Sequence, residues 1–449
     1  MTNGLLRAWE ATVRRRAGEI AVTEAAAGRT ATFRGLDDGA RAWLAAHAPD
    51  PSPLAGRAVV FAWPNGIAWL EVLIGLLRAG AVAVPLDAAE PPEVRRRLAR
   101  SLRAGFLWEG RALVPLAGAR RYRGRDVCLV KLTSGSTGEP RPLVFTAAQM
   151  LADGRQVSAT MGFGPRDKNY ALIPFGHSYG LGNLTIPLLA QGIPVVCGTA
   201  PLPHAIAGDF ARWRPTVFPG VPVIWRALAA TGVSLPGLRL GISAGAPLPL
   251  EVAREFAGRC GVRLHGFYGS SETGGIAYDR SGLATLRGSV GTALRGVQLT
   301  LRRGGRLQVC SAAVVTHGNR RAAGRLGCWL MPDRVARNRR GELTLLGRRD
   351  ATVKIAGRRV SLAEVAAALR GLAGVREVWV GASDGNEPVL GAVLVANRAA
   401  DQLRAELQAG TAAWKVPKKL VVVAVLPSTP RGKTDTRALR EMVFGPGAA

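Results

Sequence analysis

The stretch that most constrains the fold is residues 59–87, VVFAWPNGIAWLEVLIGLLRAGAVAVPLD. Residues 59–62 form a continuous apolar run, and the apolar positions in residues 67–77 have helical spacing. Gly80 follows that helix, as glycine commonly does, and a second apolar run comes next. Because strand, helix and strand follow in this order, the sequence predicts a βαβ unit.

Shorter apolar runs typical of further buried strands follow, at IPVVCG, PTVFPG and LRLGISAGAPL. The pattern predicts an α/β fold in which covering helices pack on parallel or mixed sheets. With 449 residues the chain is long for one core.

From about Asp350 the sequence changes to a hairpin, a helix and another strand, and Ser361 and Glu364 have the spacing of a capping box. We therefore predict a large amino-terminal domain over residues 1–349 and a small, mobile carboxyl-terminal α+β domain over residues 350–449.

The sequence contains no zinc-binding pattern, because its five cysteines and five histidines are dispersed. We expect the cysteines to be reduced and mostly buried: Cys128, Cys197, Cys260, Cys310 and Cys328. No stretch reaches the roughly 18 uncharged apolar residues that a transmembrane helix needs. The amino terminus also lacks the pattern of a signal peptide, so we expect a cytoplasmic protein.

The formal net charge is +29, which would suit polyanionic partners such as nucleic acid, nucleotide phosphates or an acidic carrier protein. Only seven of the 60 basic residues are lysine, and such an arginine excess favours GC-rich coding bias over a dedicated binding patch. Aromatic residues that would stack on bases are not interleaved with the basic ones. A nucleic-acid-binding protein stays open as an alternative, and it would bind any duplex with steep salt dependence.

The segment KLTSGSTGEPR, residues 131–141, follows a short apolar strand. Its small residues let backbone N–H groups approach an anion, its hydroxyls add donors, and Arg141 adds positive charge. The segment lacks the order of a Walker A loop, so it disfavours a P-loop kinase. Taken alone, it is equally typical of a flexible loop.

Two further segments carry candidate chemistry. In GFYGSSETGG, residues 266–275, Glu272 could bind Mg²⁺ through one oxygen and Tyr268 could stack on a base. The alternative there is a tight turn with a capping serine. In LPSTPRGKTDTRALR, Lys433 follows a turn from which it could reach an anion, although most such lysines are solvated surface residues.

Together and in this order, these motifs resemble the acyl-adenylate-forming superfamily: acyl-CoA synthetases, adenylation domains of peptide synthetases and firefly luciferase. The resemblance covers residues 59–439. It implies an enzyme that uses ATP and Mg²⁺ to activate a carboxylic acid as acyl-AMP. It also implies transfer of the acyl group to coenzyme A or to the phosphopantetheine of an acyl carrier protein.

The resemblance assigns the ATP-binding residues one by one. A phosphate loop comprises Thr133, Ser134, Gly135, Ser136, Thr137 and Gly138, with Arg141 in place of the usual lysine. The adenine site comprises Gly245, Ala246, Pro247, Tyr268 and Gly269. Ser271 would lie near the α-phosphate, Glu272 would hold Mg²⁺, and Asp333 and Arg348 would contact the ribose.

The resemblance also assigns roles to residues that would act at different steps. Lys433 would bridge the substrate carboxylate and the α-phosphate, and Asp350 would be the hinge of the small domain. Gly357 would lie at the tunnel for the thiol, although a hairpin glycine explains it equally well.

His177, in IPFGHSYGLGN, occupies the place where the acyl pocket of the family begins. Relatives that activate amino acids usually have an aspartate here, so we expect an acid without an amino group, either aryl or fatty. The alternative from another class is a catalytically silent relative that binds a nucleotide as a sensor or scaffold. The presence of Glu272, Asp333, Arg348 and Lys433 together disfavours that alternative.

Overall fold

The computed structural model describes most of the chain, namely residues 3–124, 126–133, 141–316, 326–348, 352–355, 358–384, 388–411, 413–429 and 434–446. The α-helices in these residues are α1 Gly4–Arg16, α2 Phe33–His47, α3 Ile67–Arg78, α4 Pro92–Ser101, α5 Ala147–Met161, α6 Ser178–Gly180, α7 Pro203–Trp213, α8 Pro222–Thr231, α9 Leu250–Cys260, α10 Leu362–Arg370, α11 Ala400–Gly410 and α12 Thr436–Phe444. Shorter 3₁₀ turns span Ser52–Leu54, Thr285–Arg287 and Ala413–Lys415.

The strands that these residues form are β1 Ile20–Glu24, β2 Arg29–Thr32, β3 Ala58–Ala62, β4 Val82–Leu86, β5 Phe106–Trp108, β6 Leu113–Pro115, β7 Val127–Thr133, β8 Arg141–Thr146, β9 Asn169–Ala171, β10 Val195–Cys197, β11 Val217–Gly220, β12 Leu240–Ser243, β13 Leu264–Ser270, β14 Gly274–Tyr278, β15 Thr292–Ala293, β16 Gln298–Arg302, β17 Arg306–Ser311, β18 Gly327–Arg337, β19 Leu343–Arg348, β20 Thr352–Ile355, β21 Arg358–Ser361, β22 Val375–Ala382, β23 Leu390–Ala396 and β24 Lys419–Val423.

The predicted βαβ unit is confirmed by β3, α3 and β4, with β3 and β4 paired in parallel. Every residue of both strands is buried, as expected for a parallel sheet covered on both faces. They lie inside a six-stranded sheet in the order β6-β5-β3-β4-β7-β8. The β7–β8 pair is antiparallel, so the sheet is mixed.

A second, nine-stranded sheet has the order β15-β14-β13-β12-β11-β9-β10-β1-β2. Its six central strands, β13-β12-β11-β9-β10-β1, run parallel to one another. Strands β14 and β15 at one edge and β2 at the other are antiparallel to their neighbours. Helices α1, α2, α3 and α5 pack between or beside the two sheets, with Trp9, Trp69 and Phe175 in one continuous core. This arrangement confirms the predicted α/β class with parallel and mixed sheets.

The remaining strands form smaller sheets. Strands β16 to β19 form an antiparallel sheet, β20 and β21 form the predicted hairpin, and β22 to β24 form a sheet that packs with α10, α11 and α12. An ion pair of 2.6 Å between Arg226 of α8 and Glu377 of β22 joins the last sheet to the large part of the chain. The division of the chain at residue 350 stays a prediction, because residues 349–351 lie outside the described part.

The expectation of reduced cysteines is wrong for one pair. Cys310 and Cys328 form a disulfide, because the register of β17 and β18 places them directly opposite each other, with 4.1 Å between their Cα atoms. Their separation of 18 residues carries no signal of this pairing in the sequence. Cys128 and Cys197 are buried and unpaired, as expected.

Candidate active site between two sheets

Loops from both large sheets meet at one cleft. Because the carboxyl ends of parallel strands share one edge of a sheet, the loops after β9, β12 and β13 lie together. The loop after β4 of the six-stranded sheet reaches the same place, where Asp87 Oδ2 lies 3.1 Å from His177 Nε2. Ser178 Oγ donates a hydrogen bond of 2.9 Å to Ser271 Oγ, so the predicted acid pocket and the predicted magnesium turn adjoin.

His177 is held in place by its backbone and by Asp87. It is the N-cap of a helical segment that begins as α6 and continues with π-helical turns over Leu181–Thr185 and Pro187–Gln191. Such turns are rare and frequently mark functional sites. Asp87 Oδ1 accepts a hydrogen bond from the backbone N–H of Ala89, which orients Oδ2 toward the imidazole.

The close approach of these two loops depends on Gly176. A Cβ atom at this position would lie 2.7 Å from Pro85 Cβ, closer than real Cβ contacts. The sequence therefore needs glycine beside His177 to bring the imidazole to Asp87.

The predicted adenine and ribose residues also come together. Tyr268, on β13, donates a hydrogen bond of 2.6 Å from its hydroxyl to Oδ2 of Asp333, on β18. The Tyr268 side chain is mostly buried, so its ring has a fixed orientation. Asp333 is also the cross-strand neighbour of Arg348 on β19, so the two residues assigned to the ribose are adjacent in the sheet. The Arg348 side chain lies outside the described part, and the ribose assignment stays a prediction.

A first prediction concerns this contact. We expect Tyr268→Phe to raise KM for ATP about tenfold, because a hydrogen bond to a charged group contributes about 1.5–3 kcal/mol. It should also reduce the preference for ATP over 2′-deoxy-ATP, since Asp333 would no longer be oriented toward the ribose. Steady-state kinetics with both nucleotides measures this.

The matched control is Tyr278→Phe, a buried tyrosine of the adjacent strand β14 that stacks on His265. If both variants changed the two KM values equally, the effect would come from packing and not from Asp333.

Glu272 lies in the turn between β13 and β14. Its backbone C=O accepts a hydrogen bond of 2.8 Å from Val315 N, and the side chain of Asp153 accepts one of 3.0 Å from Gly275 N at the end of the turn. In the described part of the chain, no three His, Cys, Asp or Glu side chains are grouped as a metal cage. Glu272 is half-buried, and a single carboxylate suits Mg²⁺, which keeps most of its waters and binds phosphate oxygens.

The two ends of the predicted phosphate loop are adjacent. Thr133 and Arg141 are direct partners in the β7–β8 pair, and Thr133 Oγ1 donates a hydrogen bond of 3.4 Å to the Arg141 C=O. The Arg141 side chain is exposed. Residues 134–138 between them lie outside the described part.

The loop after β12 carries the other predicted adenine residues, Gly245, Ala246 and Pro247. Strand β12 is the parallel neighbour of β13, so these residues lie beside Tyr268 at the cleft. The remaining predicted residues, Asp350, Gly357 and Lys433, lie outside the described part, and their roles stay predictions.

Two residues at the cleft, Asp87 and Asp153, are not marked by any motif, and Lys131 begins the predicted phosphate segment but is assigned no role in it. The sequence contains only a weak indication of a functional role for Asp87, since it is the first charged residue after the apolar strand β4. Lys131 lies within the apolar strand that leads to the phosphate loop, and Asp153 is a buried acid of α5.

Comparisons with known proteins match the chain to one family of enzymes. The family model described as AMP-binding enzyme matches residues 114–311. The feruloyl-CoA synthase of an Amycolatopsis species is 29% identical over 265 residues, 53% of this chain and 54% of that protein. The probable 2-succinylbenzoate–CoA ligase of Mycobacterium tuberculosis is 30% identical over 337 residues, 70% of this chain and 84% of that protein.

Among solved structures, that of ATP-bound MatB from Rhodopseudomonas palustris has a TM-score of 0.81 at 21% identity, over 100% of both chains. The chain therefore belongs to the family of AMP-binding, acyl-adenylate-forming enzymes, which confirms the resemblance of its motifs. Its match spans about half the length, 54%, of the feruloyl-CoA synthase. Within the described residues, no helix is both long and apolar enough to cross a membrane.

Proposed function

We propose that the protein is an ATP-dependent acid–thiol ligase. It activates a carboxylic acid without an amino group as acyl-AMP and then transfers the acyl group to a thiol. The observation that carries this proposal is the cleft, where two hydrogen bonds join the predicted sites. The Tyr268–Asp333 bond joins the adenine and ribose residues, and the Ser178–Ser271 bond joins the pocket for the carboxylic acid to the magnesium turn. A cytoplasmic location stays a prediction.

The chemistry follows from charge. The nucleophile is the substrate carboxylate, which is already ionised at neutral pH, so the site needs no general base. Two anions must approach each other, and Lys433 would neutralise charge at the α-phosphate while Ser271 donates a hydrogen bond there. Mg²⁺ bound by Glu272 would supply further charge neutralisation. Tyr268 and Asp333 would hold the nucleoside.

Aryl acids are the favoured substrates. The similar proteins named above are a feruloyl-CoA synthase and a probable 2-succinylbenzoate–CoA ligase, both named for aromatic acids. The sequence also has Gly176, His177 and Ser178 where relatives that activate amino acids have an aspartate. The imidazole of His177 offers a flat face against which an aromatic acid can pack. Fatty acids are the second class to be tested.

A second prediction concerns the Asp87–His177 pair. Because the carboxylate orients the imidazole, we expect Asp87→Asn and His177→Ala each to raise KM for the acid about tenfold, with little change in KM for ATP. The double variant should be no worse than the more impaired single variant, because Asp87 would act only by orienting the His177 imidazole.

Asp38→Asn, which changes an exposed aspartate of α2, is the control for this comparison of single and double variants. Additive effects of the two substitutions would show that Asp87 does not act through His177.

Coenzyme A and an acyl carrier protein are both polyanionic acceptors. Residues 95–123 contain nine arginines and one carboxylate, Glu109. Spread evenly, the net charge of +29 over 449 residues would give this stretch only about two positive charges. This concentration, which includes the exposed side of α4, supports an anionic acceptor. Comparing coenzyme A, pantetheine and an acidic carrier protein as acceptors tests the proposal.

The experiment that tests adenylation is ATP–pyrophosphate exchange that depends on added acid, measured with aryl, fatty and amino acids. The proposed function predicts exchange with aryl or fatty acids and none with amino acids. No exchange with any acid would favour a silent nucleotide-binding relative.

A further inference from the structure

Two charged side chains are buried beside the turn that carries Glu272. Lys131 and Asp153 are each 3% exposed. Burial lowers the pKa of Lys131 and raises that of Asp153, while the attraction between the two groups opposes both shifts. Because burying two opposite charges contributes little net stability, their location at the site indicates a role other than stability.

Asp153 binds the backbone at the end of the turn that carries Glu272. Its Oδ1 accepts the 3.0 Å hydrogen bond from Gly275 N. Gly274 has a φ of +70°, and a Cβ there would overlap Asp153 Oδ1, so only glycine lets the turn approach the carboxylate. On the other side, a Cβ at Gly182 would lie 3.0 Å from Asp153 Oδ2. The carboxylate therefore fills a space enclosed by two glycines.

Lys131 lies on the strand that leads to the phosphate loop. Alternate residues of a strand point to one face, so Lys131 shares the face of Thr133. The cross-strand partner of Thr133 is Arg141, which places Arg141 on that face too. The Lys131 ammonium lies 4.3 Å from the centre of the Phe145 ring. It is attracted electrostatically by both Asp153 and Glu272.

We propose that the buried charges of Lys131 and Asp153 together position Glu272 for the magnesium–nucleotide complex. Both are then positioning residues of adenylation, and this inference rests on the proposed function. Asp153 fixes the backbone of the turn, and Lys131 keeps Asp153 charged while it attracts Glu272. Removal of either charge should leave the turn less fixed and the Mg²⁺ site weaker.

The test is the Mg²⁺ dependence of ATP binding, measured by titration calorimetry without any acid. We expect Lys131→Met and Asp153→Asn each to raise the half-saturating Mg²⁺ concentration about tenfold. The double variant should show less than the product of the two effects, because both residues would act on the same turn. ATP–pyrophosphate exchange should show the same shift in Mg²⁺ dependence.

Lys168→Met is the matched control. Lys168 is a half-buried lysine whose ammonium donates a hydrogen bond of 2.8 Å to the C=O of Trp213, outside the cleft. It should reduce stability without changing the Mg²⁺ dependence.

Folded single variants with the half-saturating Mg²⁺ of the wild type would overturn the proposal. If a single variant does not fold, the double variant decides, because neutralising both charges of a buried pair is often tolerated. A double variant that also fails to fold would show that the pair supports the fold and not the turn. Wild-type protein that binds MgATP without exchange would refute only the proposed ligase function, whereas no MgATP binding would refute both.

Discussion

Lys433→Ala is expected to slow formation of acyl-AMP by at least about 100-fold, because loss of one donor at a developing negative charge costs about 100- to 1,000-fold. The proposed role places its ammonium between the substrate carboxylate and the α-phosphate, where two anions meet. Transfer of the acyl group from preformed acyl-AMP to the thiol should continue at nearly the wild-type rate, since Lys433 would have left the site by then. Single-turnover assays of each half-reaction measure the two rates separately.

Lys419→Ala is the control for this prediction. Lys419 is an exposed lysine at the start of β24, in the same predicted domain. An equal loss in both half-reactions of Lys433→Ala would contradict the proposed movement of the small domain.

Glu272→Gln is expected to reduce adenylation by about 100-fold or more and to raise the Mg²⁺ requirement. The amide keeps the shape of the side chain and removes the charge that would bind Mg²⁺. Because the turn is held by the Val315 and Asp153 hydrogen bonds to its backbone, the substitution should leave its structure intact. Exchange rates over a range of Mg²⁺ concentrations measure the effect.

The control is Glu251→Gln, which changes an exposed glutamate of α9. If excess Mg²⁺ restored neither activity nor ATP binding in Glu272→Gln, and the variant proved partly unfolded, Glu272 would be structural. An unchanged Mg²⁺ requirement in a folded variant would remove Glu272 from the metal site.

The sequence predicted those features that depend on local pattern. Continuous apolar runs and helical spacing identified β3, α3 and β4, because a buried parallel strand and its covering helix each have a characteristic period. The motifs at Tyr268, Glu272 and Asp333 identified one cleft because they occur in the order of the family. The Tyr268–Asp333 hydrogen bond then joined two of these residues across 65 positions of sequence.

Features that depend on tertiary register were not predicted. The partner of His177 is Asp87, which lies on the other large sheet, and only the packing of the two sheets brings the two side chains together. The burial of Lys131 of β7 and Asp153 of α5 likewise depends on packing between a strand and a helix. The Cys310–Cys328 disulfide depends on which residues face each other across β17 and β18, and the spacing of the cysteines does not encode this.

The central claim is that Lys433 and Glu272 act on the same nucleotide. The most direct test is a crystal structure with a non-hydrolysable acyl-AMP analogue and Mg²⁺. We expect the Lys433 ammonium within hydrogen-bonding distance, about 2.7–3.2 Å, of the acyl or phosphate oxygens, with Glu272 at the metal on the same ligand. An analogue bound in the cleft with Lys433 remote from it, and no second state that brings the two together, would contradict the claim.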